Sequence, residues 1–205
     1  MIKSAVLIAN GEVSKIQYVK SIIDNNNLFI SIDAKLENLE KLGIKPNLIL
    51  GDIDTAVIEN LDINTKVIKL HDQSKTDFEK SLDYCVSQGI HNIYILGATG
   101  GERNDHNLAN ILMAQQYSDA LNIEMISNFF QIVFVNSSIE ILEKKNKNLS
   151  MISLHSDNRI TTSGLEYNLS DQKLNSFSHG IGNRIISDKC LIKAKEKLIL
   201  FIEIE

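Results

Sequence analysis

The chain has no tryptophan, one proline, two cysteines and no long hydrophobic run in its 205 residues. Each scarcity excludes something. Without tryptophan, any aromatic face for stacking a flat ligand falls to phenylalanine or tyrosine. Proline is confined to Pro46, and no Pro/Gly/Ser-rich tract marks a flexible linker. Cys85 and Cys190 stand outside any metal-type pair spacing. Two unpaired thiols, used as packing residues, are expected of a protein kept in a reducing cytoplasm. No stretch approaches the roughly 18 consecutive apolar residues that a membrane helix needs. The opening run stops at Asn10-Gly11 without the long apolar region or cleavage site of a signal peptide, so it reads as a first strand. Positive charge is scarce as well. The net charge of −5 argues against general nucleic-acid binding, which needs a basic face. Neither membrane nor nucleic acid is an expected partner.

The charge is unevenly placed. Residues 1–139 carry 11 basic and 17 acidic side chains, whereas residues 140–205 carry 10 and 9. An acidic segment that binds a polyphosphate needs divalent cations between the two.

Apolar runs alternate with helix-period segments through the first two thirds of the chain. Strands are expected near 5–9, 28–32, 48–50, 67–70, 92–96, 123–126 and 132–135. Helices are expected over 14–24, near 36–42, over 76–88 and over 104–120. Thr76 is a plausible N-cap with Glu79 three residues on, and Gly89 ends that helix. This rhythm implies an α/β domain over 1–135, with a mostly parallel, Rossmann-like sheet. Beyond residue 136 the pattern changes to short strands near 139–142, 149–154, 159–162, 191–194 and 198–204, separated by turn residues. A small all-β, sandwich-like domain is expected over 136–205.

In a parallel sheet, ligands sit beyond the carboxyl ends of the strands. Four polar motifs follow apolar runs directly: Asn10-Gly11, Asp33, Gly51-Asp52 and Gly97. In Gly51-Asp52-Ile53-Asp54-Thr55, two carboxylates one residue apart can share a metal if the chain bends, and Gly51 lets backbone approach a phosphate; the same spacing also makes an ordinary Asx turn. Gln73, Thr76, Asp77 and Lys80 surround a helix start, which favours anions but also reads as a plain cap with charge pairs. Gly97, Thr99, Gly100, Gly101, Arg103, Asp105 and His106 form a glycine-rich turn into a helix. Its N–H groups can converge on phosphate oxygens, with Arg103 as a bidentate clamp.

In this order the motifs resemble those of the thiamine pyrophosphokinases over nearly the whole chain. The matching positions are Asn10-Gly11, Asp33, Pro46 with Gly51-Asp52-Ile53-Asp54-Thr55, Gln73 with Thr76-Asp77 and Lys80, and Gly100-Gly101 with Arg103, Asp105 and His106. Residues 107–110, 161–167 and 180–183 are also similar to the family's. The sequence departs from the pattern in three places. Thr55 replaces a serine, Glu102 lengthens the glycine-rich turn by one residue, and Gly182 stands where serine is common.

The resemblance implies a transferase that moves pyrophosphate from ATP to the hydroxyl of thiamine, giving thiamine diphosphate and AMP. It implies Mg²⁺ on Asp52, Asp54 and Asp77, with Asp33 beside them. Phosphate contacts would come from Gln73, Lys80, Arg103 and the turn from Gly97 to Gly101. Asp105 and His106 would orient the nucleotide or the turn. Thiamine contacts would come from Gly180, Gly182 and Asn183, with Phe177 as a stacking candidate. A homodimer with its active site at the subunit interface is implied too. Four other readings stay open on the residues alone: a haloacid-dehalogenase-type phosphatase, a nicotinamide-binding reductase, a non-catalytic nucleotide sensor, and a same-fold pyrophosphokinase for another alcohol such as a pterin.

Overall fold

The computed structural model describes residues 4–13, 19, 27–33, 37–51 and 64–204. The helix expected over 14–24 lies outside them, except for Val19, which is helical and fully buried. The chain divides into two compact units, 1–128 and 129–205.

The first unit holds six strands: β1 (Ser4–Ile8), β2 (Leu28–Ile32), β3 (Leu48–Gly51), β4 (Lys66–Lys69), β5 (Asn92–Leu96) and β6 (Asn122–Ile126). They pair only in parallel, in the order β6-β5-β1-β2-β3-β4. β1 and β3 are continuous apolar runs because inner parallel strands are covered on both faces; residues 5–8 and 48–51 are all buried. β4 lies at an edge and exposes Lys66 and Lys69, charges that discourage pairing with a foreign strand. The chain adds β2, β3 and β4 to one side of β1, then returns to place β5 on the other. Strand order therefore reverses at β1.

Three helices are described: α1 (Glu37–Leu42), α2 (Asp77–Ser87) and α3 (Asn104–Tyr117). α1 stops at Gly43, whose φ is 65°. In α2, Thr76 caps the start by accepting the Glu79 N–H at 3.2 Å, and Phe78, Leu82 and Cys85 form the buried stripe. α3 ends three residues before the expected position, because the N–H groups of Ala120 and Leu121 both turn back to the Tyr117 carbonyl. Asp83 joins α2 to α3, accepting from Lys75 Nζ at 2.7 Å and from the Tyr117 hydroxyl at 2.6 Å. Burial and that carboxylate push the Tyr117 hydroxyl up to about 12.

The second unit is entirely β-stranded among its described residues. β7 (Phe130–Val135), β9 (Asn148–Ile152), β12 (Asn183–Arg184) and β14 (Leu198–Glu203) run antiparallel in the order β12-β9-β14-β7. β8 (Ser138–Leu142), β10 (Arg159–Ser163), β11 (Gln172–Lys173) and β13 (Lys189–Ala194) form a second antiparallel sheet in the order β11-β10-β13-β8. Alternate residues of both sheets meet in one core, including Met151, Leu200, Ile160 and Ile192. The units divide at 128/129, seven residues before the composition shift, because β7 pairs with β14 from Phe130↔Glu203 to Val135↔Leu198. β9 ends at Ile152, before the expected 154, and the two-residue β11 and β12 are too short for periodicity to reveal.

Cys85 and Cys190 are both free and buried, one in each unit. Burial pushes their thiols up to about 12 and about 11. The reactive species is the thiolate, so both should be inert at pH 8. A thiol reagent is expected to label neither cysteine in the folded protein and both in denaturant. Rapid labelling of the native protein would contradict the burial.

Candidate active site

The reversal of strand order at β1 brings two turns together. β1 and β5 end level, with Ile8 opposite Leu96. Beyond them Ala9 N–H donates to Leu96 O at 2.9 Å and Gly11 N–H to Gly97 O at 2.6 Å. The approach is close enough to require glycine. A Cβ on Gly97, whose φ is 67°, would stand 2.5 Å from Ala9 O, and one on Gly11 would stand 2.5 Å from Gly97 O.

β2 ends at Ile32 opposite Leu50, one residue before β3 ends at Gly51. Asp33 follows in the left-handed region at φ 67°. Its N–H donates to Leu50 O at 2.7 Å, and its own carbonyl accepts from Ser31 Oγ at 2.9 Å. Asn10 Nδ2 donates to Asp33 Oδ2 at 3.1 Å, which joins the ends of β1 and β2. β3 ends at Gly51, φ 148°. A Cβ there would lie 3.1 Å from Asp33 Cα and 3.5 Å from Asp77 Oδ2. The segment leaving β3 thus starts between two carboxylate-bearing residues. Asp52, Asp54 and Thr55 come next in sequence and lie outside the described residues. Among the described residues, no group of three His, Cys, Asp or Glu side chains is arranged to hold a metal ion.

Asp77 opens α2. Its Oδ1 pairs with Lys80 Nζ at 2.7 Å. Lys80 is only 8% exposed and also donates to Leu70 O at 3.2 Å. Its ammonium is therefore occupied by Asp77 and the carbonyl just after β4. Gln73 lies in the exposed turn before α2.

A cavity of about 500 Å³ is bounded by these groups. Asn10, Gly11, Asp33, Thr76, Asp77, Gly97, Gly101, Arg103 and His106 line it, together with Phe78, Glu102, Asn107 and Asn110. Gln73, Lys80, Thr99, Gly100 and Asp105 are not part of the lining. Asn107 and Asn110 tie α3 to the glycine-rich turn, donating to Gly101 O at 3.1 Å and to Ala98 O at 2.8 Å. Their spacing of three on the first turns of a helix is the signal for that role. Arg103 faces Asp105 in a bidentate pair, Nε to Oδ1 at 2.9 Å and Nη2 to Oδ2 at 2.6 Å. Those hydrogen bonds hold the Asp105 carboxyl well below the usual carboxylate range.

The three thiamine candidates belong to the second unit. Gly180 is buried, and its carbonyl accepts the Met151 N–H at 2.8 Å. Gly182 donates its N–H to Ser150 Oγ at 3.0 Å. Asn183 spends its amide on backbone: Nδ2 donates to Tyr167 O at 2.7 Å, while Oδ1 accepts from the N–H groups of Tyr167 and Arg184.

Comparison with known proteins gives the family. The thiamin pyrophosphokinase catalytic-domain model matches residues 19–126, and the model of that protein's vitamin B1 binding domain matches 136–199. Thiamin pyrophosphokinase 1 of Caenorhabditis elegans is 27% identical over 175 residues, covering 78% of this chain and 71% of its own. Thiamine pyrophosphokinase of Bacillus subtilis (strain 168) is 28% identical over 178 residues, covering 82% and 83%. The crystal structure of thiamine pyrophosphokinase from Bacillus subtilis superposes with a TM-score of 0.83 at 22% identity, covering 98% of each chain. The two family models together span most of the sequence, and the chain belongs to the thiamin pyrophosphokinase family.

Proposed function

We propose that this member of the family binds ATP in the cavity of its first unit and transfers pyrophosphate to the hydroxyl of thiamine, releasing AMP. The observation that carries the reading is one convergence. The glycine-rich turn, the Asn10–Gly11 turn, Asp33 and Asp77 meet at the carboxyl ends of the strands, where strand order reverses. A cavity of about 500 Å³ suits a nucleotide, being within the range of small-ligand sites. Family membership favours this reading over the phosphatase and reductase alternatives. The parallel strands and the reversal at β1 support a Rossmann-like reading of the first unit.

The thiamine hydroxyl attacks the β-phosphorus of ATP, the bond to the α-phosphate oxygen breaks, and AMP leaves. Positioning and charge neutralisation dominate such chemistry. Mg²⁺, when bound, would neutralise the polyphosphate. The donor set fits it: Asp77 and Asp33 bring hard oxygens beside Gly51, the residue that precedes Asp52 in sequence. In our reading Asp52, Asp54 and Asp77 would hold the ion. Lys80 steadies Asp77, and Asn10 steadies Asp33. N–H groups between Gly97 and Gly101 face phosphate oxygens, with Thr76 and Gln73 nearby; a nucleotide contact is also assigned to Thr55 in this reading. Arg103 exchanges Asp105 for a phosphate, and His106 orients the nucleotide.

Thiamine contacts fall to the second unit around Gly180 and Gly182, with Asn183 shaping the loop through Tyr167. Phe177, 66% exposed, offers a stacking face. We propose a homodimer in which thiamine lies between the first unit of one subunit and the second unit of its partner. Exposed Tyr167, Ile181 and Ile186 support such a contact. The cytoplasm is the compartment we propose, supported by two unpaired thiols.

AMP release from ATP and Mg²⁺, with and without thiamine, tests the function. Thiamine-dependent AMP with an equal amount of thiamine diphosphate is expected. ATP binding without it would reject thiamine as the acceptor and direct the search to other alcohols, pterins first.

A further inference from the structure

Asn38 is a polar side chain that the sequence does not single out. It lies on α1, is only 7% exposed, and is not a cap at either end of that helix. Its Nδ2 donates twice, to Ala9 O at 2.7 Å and to Gly11 O at 2.8 Å. The space for this is made by Gly97, where a Cβ would stand 3.1 Å from Asn38 Nδ2. Between the two accepting carbonyls stands Asn10, whose own amide holds Asp33 Oδ2 at 3.1 Å. One carbonyl further, Gly11 N–H holds Gly97 O at 2.6 Å. A single amide therefore fixes the backbone on both sides of Asn10. Through that backbone it reaches the Asp33 carboxylate on one side and the glycine-rich turn on the other.

We propose that Asn38 is a positioning residue of the nucleotide site, acting through Asn10 on Asp33 and through Gly11 on the glycine-rich turn. The proposal rests on the ATP-site reading given above. With both donors removed, the Ala9 and Gly11 carbonyls lose the group that draws them together. The Asn10 amide then leaves its place against Asp33. Transfer is sensitive to such displacement, since misplacement by about 1 Å costs roughly 100-fold in rate.

The alternative is that Asn38 only fills space, and two substitutions separate the roles. Asn38→Leu keeps the branched shape with somewhat more bulk and no donor; Asn38→Ser loses bulk and keeps one donor. On the full chain, at a temperature where circular dichroism shows each variant folded, Asn38→Leu should lower kcat for thiamine-dependent AMP release by about 30- to 100-fold, with thiamine KM within about twofold. Asn38→Ser should lower kcat by only about tenfold. In an Asn10→Ala background, the Ser substitution should cost no more than about threefold, because the route to Asp33 is already cut. Three results would each overturn the proposal: a greater loss in Ser than in Leu, a folded Asn38→Ser with wild-type turnover, or an equal Ser penalty in both backgrounds. If Asn38→Leu does not fold, the two Ser comparisons decide. A wild-type protein that releases no AMP with thiamine sinks the pyrophosphokinase reading, and this role with it. An active wild type with indifferent variants removes Asn38 alone.

Discussion

Asp77→Asn should reduce thiamine-dependent AMP release by about 10²- to 10³-fold, the scale of losing one preorganised electrostatic group from a phosphoryl-transfer site. The two oxygens of Asp77 face different neighbours. Oδ1 pairs with Lys80 at 2.7 Å, and Oδ2 lies toward Gly51. Asparagine keeps the shape and one oxygen but loses the charge. An asparagine that kept the orientation of the carboxylate would still bind a divalent cation more weakly, so the Mg²⁺ concentration for half-maximal rate should rise. Stability should fall as well, because Lys80, 8% exposed, loses its carboxylate partner and keeps only neutral oxygens such as Leu70 O. Unpairing a fully buried ion costs about 3–5 kcal/mol. The partial exposure of Asp77 reduces this to about 1–2 kcal/mol, readable as a shift in the denaturant midpoint. Wild-type turnover in a folded Asp77→Asn protein would remove Asp77 from the metal role.

Gly97→Ala should be still more damaging to the fold. Two costs combine. The residue sits at φ 67°, a region that costs an L side chain about 1–2 kcal/mol. The new Cβ would also stand 2.5 Å from Ala9 O, which is backbone and has no rotamer to yield. The expected loss is about 3–4 kcal/mol, at the upper end for a single substitution. ATP binding should be lost with it, since the Gly11–Gly97 hydrogen bond must open to admit the methyl group. Gly43→Ala is the control. Gly43 has nearly the same φ, 65°, but nothing within 4 Å of the added carbon. It should cost only the conformational term, about 1–2 kcal/mol, and leave ATP binding intact. Equal stability losses at the two positions would mean that the close approach of the two turns contributes nothing.

The parts of this protein that repeat with a short period were readable from its residues. Apolar runs ending in polar turn residues announced the parallel strands, and the glycines at 97, 100 and 101 announced the turn between β5 and α3. Contacts that span distance were not readable. Nothing local says that β7 pairs with a strand some 70 residues downstream, so composition placed the division of the chain after that strand and not before it. Asn38 gave no signal for the same reason: its partners are 27 and 29 residues away, and both are backbone carbonyls, which carry no residue identity. Lys80 shows a different limit. A lysine on the first turn of a helix three residues after an acid allows both a charge pair and a phosphate contact, and the spacing does not choose between them; in the fold its ammonium lies against Asp77.

The strand order of the second unit also bears on how the protein is made. β14 is last in sequence but inner in its sheet, paired with β7 on one side and β9 on the other. A ribosome delivers β7 and β9 well before it delivers Leu198–Glu203. Until then, both nascent strands have the flank that β14 will occupy open to chaperones or to other chains. The first unit has the opposite schedule: its central β1 emerges first and gathers later strands on either side. Translation arrested before residue 198 should therefore yield a first unit able to form its sheet and a second unit left without the middle of one of its two.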